Sequence, residues 1–279
     1  MTDEGRFVIM GTRRYRVEAP WGKLPEPKAF GQISQVAVDS WGRVYVLQRS
    51  NPPVLIFDAA GDNVGALGSD RIIDPHGIFI SPDDRIFVVD RDAHQIVIFA
   101  ADGSVLNTIG SRGRPCFGGP FNHPTDVATA SDGEIYVTDG YGNSRVHRFT
   151  ANGSLIGSWG EPGKAPGQFS TPHAVWVDRQ NRVLVADREN DRVQVFDRDG
   201  RYLESWTDFF HPMDIFEDAD GMIFVTDQVP RVSMLSGDGR LVGRSRPAMN
   251  GAHGIWGDRD GSIYLAEMIP SRMAKLVPL

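Results

Sequence analysis

The chain is nearly devoid of cysteine: Cys116 is the only one in 279 residues. An intramolecular disulfide is therefore excluded. So is a zinc site built on several thiolates, which leaves His, Asp and Glu to ligate any metal. Long apolar runs are also missing, and no stretch approaches the roughly 20 residues that a membrane-spanning helix needs. Basic clusters are absent and the formal net charge is −7. Phosphate backbones and anionic lipid surfaces call for gathered Lys and Arg, so no nucleic-acid or membrane partner is expected. The opening "MTDEGRFVIM" has neither the basic start nor the apolar core of a secretory signal. With the single thiol, this makes the expected compartment cytoplasmic. No linker interrupts the pattern, and one domain over residues 1–279 is expected.

What the chain does have is turns and repetition. Its 31 glycines and 18 prolines punctuate short apolar segments. The stretch "HPTDVATASDGEIYVTDGYGNSRVHRFTANGSLIGSWG" (His123 to Gly160) shares its frame with "TPHAVWVDRQNRVLVADRENDRVQVFDRDGRYLESW" (Thr171 to Trp206). Each reads as a strand, a polar turn, a second strand ending in Asp, a loop, a third strand ending in Phe, an Asx-Gly or Asp-Gly turn and a fourth strand. Six such units start near Gly31, Asp74, His123, Thr171, His211 and Gly251. The first residues of their opening strands align as Ser34, His76, Thr125, His173, Met213 and His253, recurring every 40 to 49 residues. Four short strands at that period predict an all-β fold, a six-bladed β-propeller. The last unit ends near "MAKLVP" without a clear fourth strand. The segment from Phe7 to Val17 is expected to supply it and so cover an open sheet edge.

In a propeller the first strand of each blade is innermost, so the six aligned residues should ring one mouth of the axial channel. Histidine fills alternate blades: His76, His173 and His253. Three imidazoles converging there, with one position open, match the ligand set of a catalytic zinc site. A histidine at a strand start also suits a plain hydrogen-bonding role. Three in one register, from a total of seven, favour the metal. His94, His123, His147 and His211 are expected to be structural. A second aligned set, Gln48, Asp90, Asp139, Asp187, Asp227 and Glu267, repeats too regularly for chemistry and is expected to accept loop N–H groups. Arg49, Arg91 and Arg188 follow this set directly. Blade 3 instead has Gly140 and then Tyr141, which should stand beside His76 and His173. A divalent cation favours the phenolate form of a nearby tyrosine, so Tyr141 could serve as a base or merely line the channel. The arginines could grip a carboxylate or form rim salt bridges.

These residues resemble those of the peptidyl-α-hydroxyglycine α-amidating lyase family, propellers of the NHL-repeat type. The resemblance runs from about Gly31 to the C-terminus. It is carried by "PTDV…IYVTDGYGNSR", "PGQFSTPH…LVADRENDRVQVF", "PHGIFI" with "VVDRDAHQI", and more loosely "HGIW…DGSIYLAE". It implies a zinc lyase that splits a carbinolamide into an amide and glyoxylate. His76, His173 and His253 fall on the family's zinc ligands, and Tyr141 on its proposed base. Arg188 falls on an active-site arginine, as does Arg49, within a more diverged segment. Arg91 stands where the family is apolar and is expected to help bind an anionic substrate. Paired cysteines of the animal enzymes are replaced by Asn122, Gly142, Leu184 and Val195. The acidic residue of a structural calcium site is Gly254, so no Ca²⁺ is expected. A methionine near the zinc is Gly251. Without a hydroxylating domain in the sequence, the expected substrate is a small hydroxylated metabolite or a peptide, bearing a hydroxyl and a carboxylate. Two alternatives stand: a zinc hydrolase or hydratase acting on a small carbonyl, lactone or amide, and a non-enzymatic NHL scaffold.

Overall fold

Short apolar runs cut by Gly-containing turns leave the chain little choice but antiparallel hairpins. The structure, a computed structural model, describes residues 5–25, 28–247 and 250–279. The first four residues of the expected domain, with 26–27 and 248–249, lie outside the described residues. The described residues fall into two compact units. The unit of residues 68–212 holds three four-stranded meanders. They are β7 (Pro75–Ile80) to β8 (Ile86–Asp90), β9 (Gln95–Phe99) and β10 (Val105–Gly110); β11 (Asp126–Thr129) to β12 (Ile135–Asp139), β13 (Arg145–Phe149) and β14 (Leu155–Trp159); and β15 (Pro172–Val177) to β16 (Val183–Asp187), β17 (Arg192–Phe196) and β18 (Tyr202–Trp206).

The other unit, up to Leu67 and from Met213, holds blades 1, 5 and 6. Blade 1 is β3 (Ile33–Val38), β4 (Val44–Gln48), β5 (Val54–Phe57) and β6 (Asn63–Leu67). Blade 5 is β19 (Pro212–Glu217), β20 (Ile223–Asp227), β21 (Val232–Leu235) and β22 (Leu241–Ser245). Blade 6 is β23 (Ala252–Gly257), β24 (Ile263–Glu267) and β25 (Arg272–Pro278), extended by the N-terminal β2 (Arg13–Trp21) and β1 (Phe7–Met10). This is the six-bladed β-propeller the repeat predicts. The N-terminal segment does join the last blade, with Val17 opposite Leu276. It contributes a hairpin rather than one strand, because Gly11 takes a left-handed φ of 60° and turns the chain between β1 and β2.

Burial falls off along each blade. In blades 1 and 2 the first two strands are wholly buried, whereas β10 and β14 are largely exposed. The inner strands therefore read as continuous apolar runs. The aligned residues at the ends of the second strands are buried, and in five blades they accept an entry-loop N–H as expected. A side-chain oxygen of Gln48, Asp90, Asp139, Asp187 and Glu267 accepts the N–H of Gly31, Ile73, Asn122, Ser170 and Asn250 respectively, each 17 residues upstream. Each bond ties a blade's entry loop to its second strand. Burial raises the Asp187 carboxyl despite bonds from Asn190, Ser170 and Arg192. The positions of the replaced cysteines are neighbours: Leu184 pairs with Val195 across β16 and β17, and a Cβ on Gly142 would stand 2.5 Å from the Asn122 carbonyl oxygen. Among the described residues no helix is long and apolar enough to cross a membrane.

Candidate metal centre

The residues aligned on the opening strands are not ordinary strand residues. The register shifts between Ile33 and Gln35, Pro75 and Ile78, Pro172 and Ala174, and Ala252 and Gly254. Ser34, His76, His173 and His253 are therefore bulged residues, each at the second position of its strand rather than the first. A β-bulge re-aims the side chain that sits on it. In blade 3, Thr125 lies just ahead of β11.

In the unit of residues 68–212, His76 is buried and its Nδ1 lies 2.7 Å from the Thr125 carbonyl oxygen. A carbonyl only accepts, so Nδ1 carries the proton and a neutral ring leaves a lone pair on Nε2. That Nε2 lies 3.0 Å from the Tyr141 hydroxyl, whose O–H can donate to it. His173 is equally buried and meets the His76 ring edge-on, with centroids 5.0 Å apart. Its centroid is 6.1 Å from that of Tyr141. In the other unit, His253 repeats the setting of His76: buried, with Nδ1 2.6 Å from the Ser34 carbonyl oxygen. A buried neutral imidazole with Nδ1–H held by a carbonyl and a lone pair left on Nε2 fits a transition-metal ligand.

Tyr141 follows β12 and is 39% exposed. Its glycine neighbours are obligatory, since a Cβ on Gly140 would overlap the Pro172 carbonyl oxygen. Arg188, in the 3-10 turn Arg188–Asn190, brings Nη1 within 3.4 Å of the tyrosine oxygen and pairs with Glu189 at 2.7 Å. Arg91 pairs with Asp74 at 2.5 Å and Asp92 at 2.8 Å. The structure thus brings His76, His173, Tyr141, Arg188 and Arg91 together. Arg49 follows β4 in the other unit and gives its backbone N–H to the Gln32 carbonyl. The remaining histidines have local partners. Buried His147 bridges Ser158 and Asp139, His94 accepts the backbone N–H of His123, and His211 stacks on Phe210.

Sequence reasoning missed the residues one step further along each opening strand. Gln35, Asp126 and Asp214 alternate there with Gly77, Ala174 and Gly254. Asp126 accepts the N–H of Val175 at 3.1 Å and Asp214 that of Ile255 at 2.7 Å, so each carboxylate pins the next blade. The alternation of polar and small residues was the available signal. A Cβ on Gly254 would overlap Gln35 Oε1 and stand 2.8 Å from Gln35 Cα. An acidic calcium ligand does not fit at that position. Gly251 is equally confined, with a Cβ falling 2.6 Å from the Asp227 carbonyl oxygen. Gly254→Ala is expected to cost about 1–3 kcal/mol through overpacking. An unchanged urea midpoint would refute this.

Asp214 also accepts the N–H of Ile215 at 2.8 Å and a bond from Gln35. Burial outweighs these bonds and pushes its carboxyl up to about 7. The folded protein then keeps a proton that the unfolded chain releases near pH 4. Stability should therefore fall as pH rises from about 4 through about 7. Asp214→Asn should be less stable throughout, because its amide N–H groups face backbone N–H groups. Its loss of stability across that window should nevertheless be smaller. Urea titrations at pH 5 and 7.5 giving the wild-type difference would overturn this.

Comparison with known proteins agrees with the repeat. The sequence matches the NHL repeat family over residues 73–99, 121–149 and 169–196. It is 30% identical over 295 residues to human NHL repeat-containing protein 3, covering 95% of this chain and 84% of that protein. It is 28% identical over 300 residues to a probable peptidyl-alpha-hydroxyglycine alpha-amidating lyase of Caenorhabditis elegans, covering 91% and 85%. A solved streptogramin B lyase structure superposes with a TM-score of 0.70 over 98% of this chain and 100% of that one. At 14% identity that likeness concerns the fold alone.

Proposed function

Because the chain belongs to the NHL repeat-containing family, as an amidating-lyase-like propeller, we propose that it is a metal-dependent lyase. Its substrate is an α-hydroxyglycine-type carbinolamide, split to an amide and glyoxylate, or a small α-hydroxy compound of the same kind. His76, His173 and His253 would hold one Zn²⁺. In support, the His76 and His173 rings meet edge-on with centroids 5.0 Å apart, and His253 repeats the carbonyl-held setting of His76. When bound, the metal supplies Lewis acidity that makes a hydroxyl easier to ionise.

The observation that carries the reading is the Tyr141 hydroxyl 3.0 Å from His76 Nε2. A base must stand within hydrogen-bond reach of the proton it takes. Tyr141 Oη, as the phenolate that a bound cation favours, stands beside a ligand nitrogen and would take the substrate hydroxyl proton. As the C–O bond becomes a carbonyl, the C–N bond breaks and its electron pair goes to nitrogen. The nitrogen gains a proton, which Tyr141 Oη can return, and no water is consumed. Arg188, 3.4 Å from that oxygen, would orient the carboxylate. Arg49 is assigned, by its position after β4, to the developing negative charge. The same reading keeps the protein in the cytoplasm, where its single exposed thiol stays reduced.

Product analysis tests this reading. An N-acyl-α-hydroxyglycine should yield amide and glyoxylate in equal amounts, with no ¹⁸O from labelled water in the amide. Solvent ¹⁸O in the amide or acyl product would point to a hydrolase. Intact substrate alongside metal-free protein would point to a scaffold.

A further inference from the structure

Tyr141 poses a mechanical problem. It projects from a loop between two glycines, Gly140 and Gly142, and is 39% exposed. The glycines pack closely against Pro172 and Asn122, but an exposed ring has few apolar neighbours to hold it. The proton transfer proposed above nevertheless needs Oη kept at one point, since a misplacement of about 1 Å can cost about 100-fold in rate.

Two guanidinium groups supply the missing wall. The Arg91 and Arg188 carbons each lie over the Tyr141 ring, 5.5 Å from its centroid. Arg188 also reaches the phenol oxygen. Arg91 is held from behind by Asp74, which immediately precedes β7 and lies two residues before His76, and by Asp92. The Arg91 backbone N–H is also bound to the Asp74 carbonyl at 2.9 Å. One cation between two carboxylates leaves a local excess of negative charge, a poor receptor for an anionic substrate. The expectation that Arg91 binds substrate therefore loses its physical basis.

We propose that Arg91 is a positioning residue: fixed by Asp74 and Asp92, it lays its guanidinium on the Tyr141 ring and holds Oη against His76. This rests on the lyase reading for its purpose, but the clamp itself can be tested without turnover. A guanidinium over an aromatic face is attracted by the ring's electron-rich face, which favours one ring position over others.

The test uses the full chain labelled with 3-fluorotyrosine and ¹⁹F NMR. The Tyr141 resonance is assigned by its loss in Tyr141→Phe. In Arg91→Leu that resonance should narrow and move toward free 3-fluorotyrosine. Asp74→Asn should move it in the same direction, because it releases Arg91 without touching the ring. Arg91→Lys, which keeps a cation, should fall between. A Tyr141 resonance unchanged in both Arg91→Leu and Asp74→Asn overturns the clamp, whatever the reaction proves to be.

Kinetics add a second readout. Arg91→Leu should lower kcat about 10-fold, leave KM within about twofold, and have no further effect in a Tyr141→Phe background. A raised KM with unchanged kcat would instead make Arg91 a substrate-binding residue and refute the proposal. Wild-type protein that yields no product would sink the lyase reading alone, leaving the NMR result to decide the clamp.

Discussion

His173→Ala should lose its metal, falling from about one equivalent of zinc to none, and its lyase activity with it. A catalytic zinc site takes three protein ligands, and two imidazoles cannot hold the ion against water. Removing even an outer partner of a metal-binding histidine typically costs about 10- to 100-fold in affinity, and removing the ligand itself costs more. His76→Ala and His253→Ala should behave alike, because these imidazoles share the bulge and the carbonyl-held Nδ1. His211→Ala is the control. Its ring stacks on Phe210, and its variant should keep both metal and activity. Elemental analysis, with circular dichroism to confirm folding, reads the outcome. Full metal content in folded His173→Ala would remove the site.

The second large effect is expected from Tyr141→Phe. Losing the hydroxyl should lower kcat by about 10²- to 10⁴-fold, the usual worth of a positioned general base. Metal content should be unchanged, since phenylalanine keeps the ring and removes no ligand. Stability should change little at a side chain this exposed. Residual activity within about threefold of wild type would assign the proton transfer elsewhere. A loss of metal along with activity would mean that Tyr141 supports His76 instead.

Much of this was legible in the residues. The period of 40 to 49 residues and the Asp-Gly and Asn-Gly turns depend on local backbone chemistry, which a sequence states directly. The alignment of His76, His173 and His253 followed from the same period. Other features depend on backbone geometry that strand patterning does not encode. The bulges at His76, His173 and His253 are one case, since a skipped partner leaves the apolar alternation almost intact. The N-terminal hairpin is another, because a second strand hinged on Gly11 looks the same as one longer strand. The pressure of Gln35 on Gly254 joins residues more than 200 positions apart. The choice between a carboxylate grip and a rim salt bridge stayed open for Arg91 because nothing in "VVDRDAHQI" reveals Asp74 lying behind it.

The carbonyl supports of the histidines carry a practical consequence. His76 leans on the main chain of Thr125, and His253 on the main chain of Ser34. The acceptor at each place is present whatever side chain the position bears. Residues 34 and 125 are therefore natural entry points for directed evolution. A library randomised there can reshape the space near the imidazoles while their tautomers stay fixed. Because both side chains are fully buried, such a library is limited by volume and by the Thr125 contact to the Pro172 carbonyl.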